Sequence, residues 1–166
     1  MGSSSHKAGR KEPAGFRVAD SRVEMTDLVM PQQINPLGSV FGGWVMALMD
    51  KAAAMAATRH CHGPVATASV DRIDFLAPMR LGHIVRLWAA LTQVFSSSME
   101  VEVEVQSEDP RTGQRVKTCT AFFTMVCLGP DGGSIAAPRL ILVTDEERRV
   151  AAEADQRRSL RLTRSK

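Results

Sequence analysis

The sequence predicts an α+β domain in which a curved antiparallel sheet wraps around one long apolar helix, with a further helix at the C-terminal end. The first observation is the stretch from Gly42 to His60, which is rich in the helix formers alanine, methionine and leucine. The second is the set of segments after it, in which apolar residues recur with a period of two. The helical stretch is also apolar on nearly every side, and such a helix needs cover on nearly every side.

The length and composition favour one globular domain. The 166 residues suit a single core, and 44% hydrophobic with 23% charged residues is an ordinary globular balance. No run approaches the ~20 uninterrupted apolar residues of a membrane span. We expect a flexible leader at residues 1–20, which lacks the apolar core of a secretory signal, and the main domain at residues 21–135. Residues 136–166 are expected to form a C-terminal helix and a basic tail.

The net charge of +3 is mild, and the basic excess lies largely in the two ends of the chain. The final run, RRSLRLTRSK, contains five basic residues and no acid. We favour a solvated tail over the alternative, a basic arm that attracts a phosphorylated ligand. A nucleic-acid partner is disfavoured, because no basic stripe with interleaved aromatic residues occurs in the body of the chain.

The cysteines are odd in number and form no CxxC pair: they are Cys61, Cys119 and Cys127. This pattern favours a reducing compartment over a disulfide framework. We therefore expect a cytoplasmic location.

The first elements are a strand, a loop and the apolar helix. Arg22–Met30 resembles a strand, and the following PQQINPLGS has the prolines and glycine of a loop. The helix begins at Phe41 or Gly42, and Gly63-Pro64 ends it after His60.

Four long strands are expected next, over residues 65–76, 83–95, 96–108 and 115–129. In the third, Glu100, Glu102 and Glu104 point to one side and the intervening valines to the other. That alternation predicts one wet face and one buried face, as in an antiparallel sheet. The fourth strand is apolar on both faces, which places it centrally or against another subunit.

The last element is a helix that begins after Thr144, its expected N-cap, with acidic residues in the first turn. One helix wrapped by a curved antiparallel sheet is the hot-dog architecture. Because a single such layer leaves sheet edges and one flank of the helix open, we expect dimerisation.

Asp50 stands inside the apolar helix, where an isolated buried carboxylate costs several kcal/mol unless it is paired or protonated. Lys51 is a poor partner, since consecutive helical residues point about 100° apart. Pairing with Arg72 or Arg80, or capping of a loop, is the structural alternative to a functional role.

The helix start offers a second feature of chemical interest. Gly42 and Gly43 provide unpaired amides at the positive end of the helix dipole, which suits an oxyanion. Two helical turns, about 10 Å, separate these amides from Asp50, so one carbonyl can hardly touch both. Two antiparallel helices that meet across a dimer would solve this, with the amides from one chain and the carboxylate from the other.

These residues stand in stretches that resemble a known family. NPLGSVFGGWVMALMDKAAAMAATRH and VATASVDRIDFLAPMRLG are similar to the acyl-CoA thioesterases of the hot-dog fold, in particular the cytosolic acyl-CoA hydrolase branch. The resemblance covers roughly Val23 to Gly129. It implies hydrolysis of acyl-CoA to a free acid and coenzyme A, without a metal or redox cofactor. It also implies a site that spans two subunits of a homodimer, commonly within a trimer of dimers.

The resemblance assigns roles to individual residues. Asp50 matches the catalytic aspartate, as general base or direct nucleophile, and Asn35 matches an asparagine that orients the water or the thioester. Gly42 and Gly43 match the turn whose amides polarise the carbonyl. Thr67 would bind the pantetheine or a neighbouring backbone group, and we favour the backbone.

The expected nucleotide end of the coenzyme A site departs from the family pattern. The family often carries a basic residue where Ser96 or Ser97 stands, whereas this chain has only hydroxyls there. Ser97 and Ser98 are still candidates for a phosphate contact. Either the missing charge comes from Arg80, from Arg139 or from the basic tail, or the affinity for the nucleotide is lower.

Three other interpretations are weaker. His60, Cys61 and His62 are consecutive, so they would not converge on a metal, and we favour helix-end packing. The chain has no GxSxG turn of a serine hydrolase. A hot-dog dehydratase or hydratase would place a histidine in the site, and none occurs between His6 and His60. A non-catalytic acyl-CoA sensor is disfavoured because both Asn35 and Asp50 are present.

Overall fold

The structure of the chain is a computed structural model that describes residues 15–164. One five-stranded antiparallel sheet, in the order β2-β4-β5-β6-β3, curves around helix α2, and helix α3 lies on its outer face. The helices and strands, in chain order, are β1 (Phe16–Arg17), α1 (Val18–Ser21), β2 (Val23–Leu28), α2 (Gly42–Cys61), β3 (Val65–Val70), β4 (Ile84–Val94), β5 (Ser98–Glu108), β6 (Arg115–Cys127), β7 (Leu140–Ile141) and α3 (Asp145–Arg164).

Helix α2 confirms the predicted apolar helix and ends where the sequence indicates. His62 adopts the left-handed conformation and donates its N–H to the Thr58 carbonyl at 2.8 Å, just before Gly63-Pro64. Four alanines of α2 are fully buried against the sheet: Ala52, Ala53, Ala56 and Ala57. Because alanine lets a helix approach a sheet closely, these residues pack α2 against the sheet.

The sheet forms the other half of the core. Alternate residues of β4, β5 and β6 face α2 and are buried, and β6 lies between β5 and β3, as predicted for a strand apolar on both faces. Strand β3 is shorter than expected, ending at Val70 rather than Leu76. Beyond it, Asp71 and Leu76 each donate one backbone hydrogen bond to β6, at 2.9 and 2.7 Å. Strands β2 and β3 are therefore the two edges of the sheet.

Helix α3 overturns the expectation of a wet face along β5. Glu100 is completely buried under α3, where Arg157 Nη2 and Arg161 Nη1 donate to its carboxylate at 2.7 and 2.9 Å. Thr92 Oγ1 donates to the same group at 2.8 Å. The alternation of charged and apolar residues correctly separated the two faces of β5. It could not show that a helix distant in sequence covers the charged face.

The first turn of α3 has the predicted cap. Thr144 Oγ1 accepts a hydrogen bond from the Glu147 N–H at 3.1 Å, and the Glu147 carboxylate accepts one from the Thr144 N–H at 3.0 Å. This reciprocal capping box explains why the helix begins at Asp145.

The expected end of the leader, at residue 20, falls inside helix α1. Residues 16–21 form β1 and α1, with Val18 and Ser21 buried, although the leader was expected to extend to residue 20. β1 pairs in parallel with β7, so Phe16 lies opposite Leu140. A two-residue strand is too short to produce a periodic signal, which is why the sequence did not indicate it. The rest of the leader lies outside the described residues.

The cysteines differ from the expectation of reduced thiols. Cys61, at the end of α2, and Cys127, at the end of β6, form a disulfide with their Cα atoms 6.4 Å apart. They are 66 residues apart in sequence, so only the fold brings them together. Cys119 is free and buried, and burial raises the pKa of its thiol to about 11.

None of the helices between residues 15 and 164 combines the length and apolar character that crossing a bilayer requires.

Candidate active site

Asp50 lies on the exposed face of α2, beside the edge strand β3. Thr67 Oγ1 donates a hydrogen bond to Asp50 Oδ1 at 2.6 Å. The sequence suggested a carboxylate buried in the core, and within a single chain this is wrong. The helix buries its alanines and turns Asp50 outward, which the even apolar composition around the helix did not reveal.

A β-bulge directly after Thr67 makes Thr67 and Ser69 face opposite sides of the sheet. Thr67 pairs with Met125 of β6, but the next pair is Ser69 with Thr124, so Ala68 is the extra residue. Met125 is fully buried in the core that α2 covers, whereas Thr124 is on the other side of β6. The bulge therefore lets β3 direct Thr67 towards α2 and Ser69 towards α3. The favoured sequence interpretation, a Thr67 bond to a neighbouring backbone group, is replaced by the bond to Asp50.

The structural alternatives for Asp50 are not observed. Arg72 pairs with Asp74 at 2.8 Å, and Arg80 lies in the turn before β4. No lysine, arginine or histidine among residues 15–164 forms an ion pair with Asp50. The carboxylate is therefore held by a neutral hydroxyl donor and keeps its second oxygen open to a ligand.

The start of α2 presents backbone donors without acceptors. The first amides bonded within the helix are those of Trp44 and Val45, which donate to the Phe41 carbonyl at 3.1 and 3.4 Å. No described residue accepts a hydrogen bond from Gly42 or Gly43. A Cβ on Gly43 would meet nothing within 4 Å, whereas one on Gly42 would lie 3.2 Å from the Phe75 ring. A ligand atom can thus approach the Gly43 amide from open solvent.

A groove of about 350 Å³ leads to this helix start. Its walls combine polar and apolar surface, and they come from the loop before α2, the first turns of α2 and the segment after β3: Ser39, Val40, Gly42, Val45, Phe75, Leu76, Ala77, Pro78 and Met79. A thioester whose carbonyl reached the amides would have apolar surface beside it.

Asn35 organises the loop that precedes α2. Its Oδ1 accepts the Leu37 N–H at 2.8 Å, its Nδ2 donates to Ser39 Oγ at 3.1 Å, and its backbone N–H donates to the Ser39 carbonyl at 2.7 Å. The Phe41 N–H then donates to the Gln33 carbonyl at 2.9 Å, which ties the loop to the helix start. The described contacts of Asn35 do not include Asp50, so one protomer does not bring the two together.

The candidate coenzyme A residues are also separated. Arg80 lies at the end of the sheet where β4 begins, near His83 and Asp109, whereas Ser97 and Ser98 lie in the turn where β4 ends. The 11 residues of β4 span roughly 35 Å between these two turns. Arg80 therefore cannot supply the missing charge at Ser97 and Ser98 of its own chain.

Two arginines of α3 lie where the serines are. A groove of about 200 Å³ brings Ser98 together with Arg158 and Arg161. Part of the C-terminal run is thus not a solvated tail, since Arg157 and Arg161 are ion-paired on the sheet and Arg158 stacks on Phe95. The signal in the sequence was the spacing of Ala151, Ala154, Arg158 and Arg161, which places them on one helical face.

The consecutive histidines and cysteine serve packing, as favoured from the sequence. His60 is buried, its Nε2 donates to the Pro138 carbonyl at 2.8 Å, and the Phe16 ring packs edge-on against it. Burial, the largest influence, lowers the pKa of His60. Within residues 15–164, no group of three or more His, Cys, Asp or Glu side chains is placed to hold a metal ion.

Comparison with known proteins identifies relatives over most of the chain. Residues 37–114 match the model of the thioesterase superfamily. An uncharacterized acyl-CoA thioester hydrolase of Bacillus subtilis is 37% identical over 147 residues, which is 89% of this chain and 86% of that protein. The human cytosolic acyl coenzyme A thioester hydrolase is 36% identical over 140 residues, which is 82% of this chain but 37% of that longer protein.

Solved structures share the fold closely. The crystal structure of an apo-hexameric acyl-CoA thioesterase has a TM-score of 0.88 and 36% identity, covering 92% of this chain and 97% of that one. An acyl-CoA hydrolase of Staphylococcus aureus in complex with butyryl coenzyme A, coenzyme A and coenzyme A disulfide has a TM-score of 0.84 and 31% identity, covering 90% and 92%.

The same S. aureus hydrolase has been solved as three single alanine variants, of an asparagine, an aspartate and a threonine. These positions follow one another at intervals of 15 and 17 residues in that chain. Asn35, Asp50 and Thr67 follow one another at the same intervals here.

Proposed function

Since this chain belongs to the thioesterase superfamily, we propose that it hydrolyses acyl-CoA to a free carboxylic acid and coenzyme A at a site built around Asp50. The observation that carries the site is the Asp50 carboxylate, held at 2.6 Å by the Thr67 hydroxyl on an open helix face beside an unpaired strand edge. The matching intervals of Asn35, Asp50 and Thr67 in the S. aureus hydrolase support the same three residues.

Asp50 acts on the thioester carbonyl as general base or as nucleophile. As base, its free oxygen takes a proton from water while the water oxygen bonds to the carbonyl carbon. The tetrahedral intermediate then collapses, the carbon–sulfur bond breaks, and the thiolate of coenzyme A takes the proton back. As nucleophile, the carboxylate displaces the thiolate directly and water cleaves the resulting anhydride. In both routes Thr67 fixes the carboxylate.

The oxyanion of the intermediate accepts hydrogen bonds from the amides at the start of α2. Gly42 and Gly43 have donors free for this purpose, but they lie two turns from the Asp50 of their own chain. The site is therefore completed by a second copy, with the amides from one chain and Asp50 from the other. We propose a homodimer, assembled as a trimer of dimers, and the hexameric relative supports this.

Asn35 belongs to the amide half of the site. Its side chain shapes the loop that carries Phe41 and the first amides of α2. We propose that its amide group also orients the water or the thioester when the partner brings Asp50 to it.

The reaction as proposed needs no metal or redox cofactor, and coenzyme A takes part only as a portion of substrate and product. Turnover unchanged after dialysis against a chelator is the expected result, and restoration by an added metal would contradict it. We further propose a cytoplasmic location, which the cytosolic mammalian relatives support. The Cys61–Cys127 disulfide is instead typical of a protein in an oxidising compartment. Cell fractionation followed by detection of the protein is the direct measurement of its location.

The function is tested by offering purified protein acyl-CoAs of several lengths and following free thiol. We expect turnover by the wild type and a loss of at least about a hundredfold in kcat for Asp50→Asn, with the fold retained. Asp27→Asn, on the opposite edge of the sheet, is the matched control and should keep full activity. Full activity of Asp50→Asn would contradict the proposed role of Asp50. Tight binding of acyl-CoA by the wild type without turnover would indicate a non-catalytic sensor.

A further inference from the structure

We infer that the groove at the start of α2 continues into a second, polar groove around Arg80 and His83, which selects acyl groups that carry a carboxylate at their far end. The inference rests on the proposed function and names a substrate class for it, the coenzyme A thioesters of dicarboxylic acids. Hydrolysis of such a thioester breaks the same carbon–sulfur bond and releases a dicarboxylic acid and coenzyme A.

The two grooves are neighbours. The groove at the start of α2 and the polar groove, of about 340 Å³, share two wall residues, Ala77 and Pro78. Phe75 marks the near end, since a Cβ on Gly42 would lie 3.2 Å from its ring. At most roughly 18 Å of chain separates Phe75 from Arg80, which lines the polar groove. An acyl chain whose carbonyl lies at the helix start can thus reach the polar groove along the first one.

Both grooves lie on the face of the sheet that α2 covers. Ser107 is buried and follows the buried Val105 at the next alternate position of β5. His83 precedes the buried Val85 of β4 in the same way. The polar groove is therefore on the same side of the sheet as the start of α2. A ligand reaches it without crossing the sheet or the β3 edge, which the proposed second copy would cover.

The polar groove presents donors that suit a carboxylate. His83 Nδ1 and Ser107 Oγ are hydrogen-bonded at 2.7 Å, which fixes the imidazole ring. When the Ser107 hydroxyl is the donor in this bond, the proton of neutral His83 is on Nε2 and is available to a ligand oxygen. The guanidinium of Arg80 lies in the same groove, and its planar N–H groups match the two oxygens of a carboxylate.

Arg80 supplies the net charge of the polar groove. It forms no ion pair with a carboxylate between residues 15 and 164, and among those residues Asp109 is the acid that lines the groove. Asp109 is held by Arg111, whose Nη2 lies 3.3 Å from Oδ2 and whose backbone N–H donates to Oδ1 at 2.9 Å. The side-chain hydrogen bond from Arg111 lowers the pKa of Asp109, so the two form a neutral pair. The charge of Arg80 is left for an anion.

The first groove favours a carboxylate on a chain over a free anion. The apolar side chains of Phe75, Leu76 and Met79 line it between the helix start and Arg80. Methylene groups gain from burial against these side chains, whereas a carboxylate placed there would lose its water without gaining a donor. The two grooves together match a chain that is reactive at one end, apolar in the middle and anionic at the other end.

The kinetic test uses pairs of substrates with equal numbers of carbon atoms: suberoyl-CoA with octanoyl-CoA, and succinyl-CoA with butyryl-CoA. We expect the kcat/KM of the wild type to be about tenfold higher for suberoyl-CoA than for octanoyl-CoA, the effect of one charge-assisted hydrogen bond. The succinyl and butyryl pair should show no such preference, because the carboxylate of the shorter diacid does not reach Arg80.

The residue is tested by Arg80→Gln, which removes the charge and keeps a polar side chain. We expect the preference for suberoyl-CoA to disappear while kcat/KM for octanoyl-CoA stays within about twofold of the wild type. Arg80→Lys should keep part of the preference. Arg148→Gln, near the start of α3, is the matched control and should keep all of it. Equal losses for both substrates in Arg80→Gln would show that Arg80 contacts the coenzyme A portion they share, and would overturn the inference.

Calorimetry with Asp50→Asn protein measures binding of the two acyl-CoAs without turnover. Suberoyl-CoA bound about tenfold more tightly than octanoyl-CoA, with the difference lost when Arg80→Gln is added, supports the inference even if the wild type hydrolyses neither. In that case only the proposed function fails. Equal binding of the two acyl-CoAs, or a difference that survives Arg80→Gln, overturns the inference while hydrolysis of octanoyl-CoA stands.

Discussion

At Asp50, a carboxylate that the sequence placed in an apolar helix is exposed and bonded to one hydroxyl. A salt bridge would have placed a cation against the carboxylate, whereas Thr67 orients it at 2.6 Å with a neutral hydroxyl. Such a carboxylate has a fixed position and a free oxygen, which are the requirements of a base or nucleophile.

Removal of the Thr67 hydroxyl should therefore slow the reaction. Thr67→Val keeps the shape of the side chain and removes the donor, so we expect kcat to fall about tenfold, the value of one hydrogen bond to a charged group. Thr67→Ser keeps the donor and should retain most of the activity. Thr26→Val, on the opposite edge strand, serves as the control. Equal activity of Thr67→Val and wild type would show that the Asp50 position does not depend on this bond.

At the level of elements, α3 is attached to the sheet by a buried ionic cluster. Glu100 is completely buried, and its carboxylate is shared by Arg157, Arg161 and Thr92. Arg161 also binds Asp71, the residue that follows β3. The helix thus connects the beginning of β5 to the end of the strand that holds Thr67. Burying charges in this way is tolerated only because every member of the cluster is paired.

Loss of one member should destabilise the protein strongly. Arg157→Met leaves Glu100 buried with one partner fewer, and we expect the free energy of unfolding to fall by about 3 kcal/mol. Arg149→Met breaks the surface ion pairs of the same helix with Glu146 and Glu153 and should leave the free energy of unfolding nearly unchanged. Both are measured by denaturant unfolding at one protein concentration, since oligomerisation contributes to stability. Similar losses of unfolding free energy in the two variants would show that the buried cluster stabilises the protein no more than a surface ion pair does.

At the level of the whole molecule, the open surfaces of one chain lie together. The outer edge of β3 has no strand partner among residues 15–164, and beside it α2 exposes Gly43, Met46, Ala47 and Asp50. An unpaired edge next to a partly apolar helix face is the surface that the proposed second copy would cover. Because the Gly43 amide and Asp50 are too far apart within one chain to contact the same carbonyl, the proposed reaction requires the second copy to supply one of them.

A site shared between subunits predicts recovery of activity on mixing. Asn35→Ala and Asp50→Asn chains, each expected to be nearly inactive alone, are unfolded together in equal amounts and refolded. Random pairing makes half of the dimers mixed, and each mixed dimer has one of its two sites intact. About a quarter of wild-type activity should return. Each variant refolded by itself is the control, and no recovery on mixing would place Asn35 and Asp50 in the site of the same chain.

The sequence by itself determined the element order and the character of each element. The period of apolar residues reports which side of a strand is buried, and the composition of residues 42–60 reports a helix, because both are local properties. The same stretch contained Asp50 and the two glycines, and their spacing on a helix was enough to show that one chain could not bring them to one carbonyl.

Only the tertiary structure decided which residues meet across the fold. The disulfide of Cys61 with Cys127, the burial of Glu100 under α3 and the approach of Arg158 to Ser98 each join segments far apart in sequence. Thr67 faces Asp50 because it pairs with Met125 on the core side of β6, and a single extra residue then turns Ser69 to the other side, which no periodic pattern indicates. Packing between distant segments depends on the whole set of contacts, so local periodicity carries almost no information about it.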